Sequence, residues 1–254
     1  MLPLPSSIFD LKSWYVTLPT GKAGHPDTVR QPSLDSYTDK NFTVTPEGDA
    51  IVFTGPCDGV TTVNSHYPRS ELREMKGDAL AGWSFVDVSE LVYTAAVLHL
   101  PEHKPEVVIG QIHDDKDDVV MVKCAGKTIT CSYKGTTVKT LDSNYTLGQK
   151  FTVKILAAAG VISVFYNDMA TAAYTTTTKE KKAVNYFKVG CYTQSNAVHG
   201  AMPGEYAQTA VYSATVRHAA PVQPEPAKPP APQQPGLKQK LAEGIMEVLN
   251  RLIL

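Results

Sequence analysis

Apolar and polar residues alternate in short runs along most of this chain, and a two-residue alternation predicts β-strands rather than helices. Residues 186–194 show it most clearly. Phe187, Val189 and Cys191 fall on one face, while Tyr186, Lys188, Tyr192 and Gln194 fall on the other. Residues 69–75 divide the same way, with Arg69, Glu71 and Arg73 opposite Ser70, Leu72 and Glu74. In 107–113, Gln111 and His113 share a face and Ile112 points away from it. In all, ten strands are predicted, at 50–54, 70–75, 91–100, 107–113, 119–124, 128–133, 151–156, 161–166, 186–192 and 210–217. Each is rich in β-branched or aromatic residues. Gly, Asp, Asn and Pro separate them, and 20–42, with its glycines and prolines, reads as a surface loop. No helical period precedes residue 219. Many antiparallel strands without helices predict an all-β sandwich, jelly roll or barrel.

The pattern changes twice near the end. Seven prolines between Pro221 and Pro235 predict a stiff, extended linker at 220–236. Beyond it Leu237, Leu241, Ile245, Val248, Leu249 and Leu252 recur at helical spacing, with charges of both signs between them. An amphipathic helix over 237–254 is expected. It cannot bury its apolar stripe alone, so it is expected to self-associate or to dock on a partner protein. The domain expected to carry the chemistry is then 1–219.

Composition narrows the partners. A net charge of −1 gives no global pull toward nucleic acid or membranes, so nucleic acid is not expected as a partner. No run of about 20 apolar residues exists to form a membrane span. The opening MLPLPSSIFDLK lacks the positive start and long apolar stretch of a signal peptide. A secreted or extracellular location is expected, with the signal peptide absent from this chain. Cys124 and Cys131 flank a short turn where a disulfide is one reading and two free thiols the other, and Cys191 belongs in the core. The four cysteines lack CxxC spacing, and the acidic run at 114–118 reads as a solvated turn without a calcium loop's spacing. No metal or cofactor is expected.

The polar faces carry candidate chemistry. A row of Arg69, Glu71 and Arg73 on one strand face suits an anion-receiving groove, with Glu71 holding both guanidinium forks. Gln111 and His113, two residues apart, can hold a carboxylate and remove a nearby proton. Lys188 beside Tyr192 and Tyr186 favours the phenolate form, which makes a phenol a better proton donor or acceptor. Among the other histidines only His66, three residues before Arg69, has a comparable neighbourhood.

RSELREM at 69–75, QIH at 111–113 and YFKVGCYTQ at 186–194 resemble, in that order, the signatures of polysaccharide lyase family 7 alginate lyases. FDLKSWYVTLPTG at 9–21 resembles the family's N-terminal stretch, and the resemblance spans about residues 8–218. Val189 and Thr193 depart from the usual Ala and Asn. The resemblance implies a jelly-roll β-sandwich with a concave substrate cleft, and alginate as substrate. It implies β-elimination, with Arg69 and Gln111 neutralising the uronate carboxylate, His113 as base and Tyr192 as acid. Glu71, Arg73, Tyr186, Lys188 and Gln194 are then expected to hold or wall neighbouring sugars. Ile112 in the middle of the Gln-x-His motif implies a guluronate or mixed-block preference. Two alternatives stay open: a lyase for another polyuronate such as glucuronan, and a non-catalytic carbohydrate-binding module.

Overall fold

The computed structural model describes residues 3–219. The linker expected at 220–236 and the helix expected at 237–254, with its partner, lie outside the described residues. Sixteen strands run in chain order: β1 (Trp14–Lys22), β2 (His25–Val29), β3 (Phe42–Val44), β4 (Ile51–Pro56) and β5 (Arg69–Lys76) come first. They are followed by β6 (Ala79–Leu80), β7 (Val88–His99), β8 (Glu106–His113), β9 (Asp118–Ala125), β10 (Thr128–Tyr133) and β11 (Thr136–Asp142). The last five are β12 (Phe151–Ala158), β13 (Val161–Tyr166), β14 (Tyr174–Thr177), β15 (Tyr186–Thr193) and β16 (Tyr206–Ala219). One sheet has the order β11-β10-β9-β8-β15-β5-β1-β2, with β6 also paired to β5, and the other β14-β13-β12-β7-β16-β4-β3. The named strands pair antiparallel, so the architecture is a two-sheet sandwich.

The alternation explains why the sheets stack. Phe151, Val153, Ile155 and Ala157 of β12 are all buried, as are Leu91, Tyr93, Ala95 and Val97 of β7. They join Ile109, Ile112, Val122, Phe187, Val189 and Cys191 from the first sheet in one core. Burying such side chains is worth roughly 1.5–3 kcal/mol each. Gly110 is required here, because a Cβ at that position would lie 2.5 Å from the Tyr93 ring. The inward face of the first sheet is thereby committed, and its other face is free for polar work.

All ten expected strands are present. Of the six strands not foreseen, β2, β3, β11 and β14 end a sheet and β6 has two residues, whereas β1 is a nine-residue strand between β5 and β2. The stretch 20–42 is more than a loop: β2 pairs with β1, and a 3-10 turn forms at Ser33–Ser36. β2 runs along the sheet edge as HPDTV with no buried residue, so it lacks the alternation that marks a half-buried strand. Cys124 and Cys131 are free thiols. Across the hairpin Cys124 faces Ile129 and Cys131 faces Val122, so the two never stand opposite each other. Burial pushes each thiol up to about 12.

Candidate active site

Four adjacent strands build the site. Tyr15 of β1 pairs with Arg73 of β5, Arg73 with Lys188 of β15, and Lys188 with Gln111 of β8. That register lines up one polar row across the sheet. Tyr192 stands opposite Arg69, and Tyr186 opposite His113, on flanking rows. The pairing of β15 with β8 slips between Val189 and Tyr192. Gly190 sits at that slip with φ 148°, and a Cβ there would come within 2.8 Å of Glu71 Cα and Ser70 O. Only glycine lets the backbones approach this closely. Above these strands lies a cleft of about 670 Å³, lined by Tyr15, Arg69, Arg73, Gln111, His113, Tyr186, Lys188 and Tyr192 among others.

Glu71 is the electrostatic hub beneath the cleft. It is wholly buried. Its carboxylate meets Lys188 Nζ at 2.6 Å, Arg69 Nη1 at 3.3 Å and Gln111 Nε2 at 2.5 Å. Burial alone would raise its pKa, but Lys188 and Arg69 outweigh burial and hold it below the usual carboxylate range. Lys188 is pulled down to about 8, first by burial and then by repulsion from Arg69. Arg73 makes no ion pair among the described residues; its guanidinium lies 3.8 Å over the Tyr186 ring and donates to Tyr15 Oη at 3.5 Å. On the strands under the cleft, Arg69, Arg73 and Lys188 outnumber the single carboxylate of Glu71, while Asp114, Asp115, Asp117 and Asp118 line one end of the cleft. The Nε atoms of Arg69 and Arg73 are buried without a hydrogen-bond partner. Such a site attracts an anion that brings its own oxygens.

His113 is arranged to accept a proton. Its Nδ1 is 2.7 Å from the backbone oxygen of Asp114 and 3.0 Å from Tyr186 Oη. A carbonyl oxygen only accepts, so Nδ1 carries the hydrogen and Nε2 keeps its lone pair. Burial, then Lys188, lowers the imidazole pKa and keeps the ring neutral. The Tyr186 ring stacks on His113 at 5.3 Å, and burial raises its phenol to about 12. Tyr186 is thus a wall that holds its proton.

The sequence profile of a family described as alginate lyase matches residues 9–218. The chain belongs to polysaccharide lyase family 7, the alginate lyases. A solved family 7 enzyme, the alginate lyase AlgAT5, is 41% identical over 85% of this chain and 99% of its own, with a TM-score of 0.80. The alginate lyase structure from a Corynebacterium species is 36% identical over 85% of this chain and 98% of its own, also with a TM-score of 0.80. A curated alginate lyase from Klebsiella pneumoniae is 31% identical over 103 residues. That match spans 38% of this chain and about a third of the relative's length, 34%. The likeness extends to the two-sheet jelly-roll sandwich.

Within this family 7 framework, most of the residues singled out from sequence come together in the cleft, and some take other places. Glu71 does not line the cleft, and it grips Arg69 and Lys188 rather than Arg69 and Arg73. The residue opposite Glu71 is Gly190, and Lys188, opposite Arg73, reaches Glu71 on the diagonal. Gln194 lies past the end of β15, where its amide nitrogen sits 3.3 Å from its neighbour's carbonyl oxygen, Thr193 O. It is absent from the cleft lining because the strand that would present it has stopped. His66 is exposed and does not line the cleft. The acidic run 114–118 forms the turn from β8 to β9 and rims one end of the cleft.

Ser65 was not legible from sequence. Its Oγ accepts from Arg69 Nη2 at 2.9 Å and lies 3.1 Å from Tyr192 Oη. It also donates to the backbone oxygen of Tyr67 at 3.1 Å. With its one proton given to that carbonyl, Ser65 can only accept from Tyr192. One hydroxyl thus orients both the arginine fork and the phenol. Arg69 further lies 3.7 Å over the Tyr192 ring. Ser65 sits in the loop between β4 and β5, where no periodicity or motif marks it.

Proposed function

We propose that this family 7 protein cleaves alginate by β-elimination, with a preference for guluronate or mixed blocks. The observation that carries the reading is a neutral imidazole and a phenol in one cleft, beside Arg69, Arg73 and Lys188 with two buried guanidinium Nε atoms left without a partner. Arg69 and the free amide hydrogen of Gln111 bind the uronate carboxylate, which eases loss of the adjacent proton by stabilising enolate-like charge. His113 Nε2 takes the C5 proton. The C–H electron pair becomes the C4=C5 double bond, and the bond from C4 to the glycosidic oxygen breaks. Tyr192 turns its hydroxyl from Ser65 to that oxygen and protonates it. No water is consumed, so the paired carboxylates of a glycoside hydrolase have no role. Where the C5 proton lies on the leaving-group side, as in mannuronate, Tyr192 serves as base and acid in turn.

A feature of one relative supports this reading. A family 7 structure at 25% identity, described with the substrate GGMG, carries a His-to-Asn and a Tyr-to-Phe exchange. The same two residue types flank the cleft here. Ile112 is wholly buried, so its influence on block preference runs through the placement of Gln111 and His113. The test is ultraviolet absorbance of the unsaturated product on polymannuronate, polyguluronate and glucuronan side by side. Absorbance rising fastest on polyguluronate supports the proposal. Fastest turnover of glucuronan redirects the substrate, and binding of polymer without any absorbance marks a binding module. Secretion accords with a polymeric substrate and is tested by locating the protein in culture fractions.

The pKa of His113 sets the acid limb of the pH profile. Catalysis needs the neutral ring, and the lowered pKa keeps it neutral to lower pH. The activity lost on acidification therefore falls away below the 6.5 of a free imidazole. A kcat/KM profile whose acid limb lies at or above 6.5 on guluronate polymer contradicts this. Ser65→Ala is expected to lower kcat about ten-fold with KM changed little, since it releases the phenol's orientation. Ser65→Thr, which keeps the hydroxyl, restores most of the loss. Equal behaviour of the two variants rejects an orienting role.

A further inference from the structure

Beside Tyr192, outside the cleft just described, three loops meet at Tyr67. Tyr67 lies in the loop before β5, Lys104 in the loop between β7 and β8, and His199 in the 3-10 turn Ala197–His199. The Tyr67 ring packs edge-on against Tyr192, with centroids 6.3 Å apart. Lys104 Nζ donates to Tyr67 Oη at 3.0 Å and lies 4.8 Å from the ring centre. His199 Nε2 is 3.3 Å from the same hydroxyl, and its ring lies 5.5 Å from the tyrosine ring. Asn196 Nδ2 donates to His66 O at 2.8 Å, tying the loop that bears His199 to the one that bears Tyr67.

Lys104 makes no ion pair among the described residues. One ammonium hydrogen is given to Tyr67, and two remain for a ligand. A tyrosine beside a cation recurs from the start of β15, at Tyr186, towards its end, at Tyr192, and beyond it at Tyr67. Arg73 lies 3.8 Å over Tyr186, Arg69 lies 3.7 Å over Tyr192, and Lys104 lies over Tyr67. A polymer with one carboxylate per sugar can offer an anion to each of these cations along its path. None of the three outer residues belongs to the strand motifs.

We propose that Tyr67, Lys104 and His199 form an additional sugar-binding position for a uronate residue beyond Tyr192. Lys104 takes the carboxylate, the Tyr67 ring packs against the sugar, and His199 contacts a hydroxyl. The position lengthens the bound stretch of polymer and adds to affinity for long chains. The substrate class rests on the lyase reading above.

The test measures binding without turnover. Guluronate trimer and hexamer are titrated by calorimetry into His113→Ala protein, with and without Lys104→Gln. The expected result is a hexamer affinity weakened about three- to ten-fold by Lys104→Gln, as for a partly exposed charged contact. The trimer, spanning fewer positions, loses less. Steady-state KM of Lys104→Gln on polymer rises by a similar factor, while kcat stays within about two-fold. Hexamer affinity unchanged by Lys104→Gln, or equal losses for trimer and hexamer, overturns the additional position and leaves the lyase reading intact. Failure of the hexamer to bind His113→Ala protein at all overturns both.

Discussion

Alanine in place of His113 lowers turnover on guluronate-rich polymer by about 10²–10⁴, the usual worth of a positioned general base. The structure makes this a clean experiment. The imidazole hangs over the cleft from the last residue of β8, tied by Nδ1 to Asp114 O and stacked on Tyr186. Truncation removes the two contacts of Nδ1, to Asp114 O and Tyr186 Oη, and one stacked ring, and nothing from the core between the sheets. The folded protein should therefore persist, with a melting temperature close to that of the parent. Polymer should still bind, because Arg69, Gln111 and Lys188 remain in place around Glu71. A folded His113→Ala protein with near-normal turnover sinks the assignment of the base.

Phenylalanine in place of Tyr192 is expected to cost turnover on the same scale, with KM little altered. The exchange keeps the ring, and with it the Arg69 guanidinium stacked at 3.7 Å and the edge contact with Tyr67. Only the hydroxyl goes, along with its contact to Ser65 Oγ. An interaction made chiefly in the transition state shows in kcat rather than in KM. If KM rises steeply while kcat survives, Tyr192 binds sugar and another group protonates the leaving oxygen. Lys188 is a poorer target for such a test. Removing one partner of a buried ion pair costs about 3–5 kcal/mol of stability, and Lys188, buried but for its edge on the cleft, is paired with the wholly buried Glu71.

Much of this was legible along the chain. The period of two in β5 and β15, and over Gln111–His113 in β8, separates inward from outward residues because side chains in a strand alternate. Upstream in β8 it breaks at the irregularity between Val108 and Gly110, so that Val107 and Ile109 lie in the core with Ile112. Phe187, Val189 and Cys191 lie in the core as the alternation requires, and Tyr186, Lys188 and Tyr192 line the cleft. The alternation failed where its assumption fails. β2 and β11 are edge strands with little burial, so no apolar face marks them. Gln194 keeps the period but lies beyond the end of the strand, so the period no longer directs it.

By itself the sequence determined the all-β class, the inward and outward faces of three strands, and the residue types that acid–base chemistry on a uronate needs. These are local properties, set by backbone period and side-chain chemistry. The tertiary structure alone decided which polar residues meet. The antiparallel register brought Lys188 to Glu71 and left Arg73 to Tyr186 and Tyr15. The unbroken register of β15 on β5 placed Tyr192 beside Arg69, and the loop before β5 delivered Ser65 to both. Pairing between strands distant in the chain depends on how each strand is shifted along its neighbour. That shift is fixed by packing of the whole sandwich, and no single segment records it.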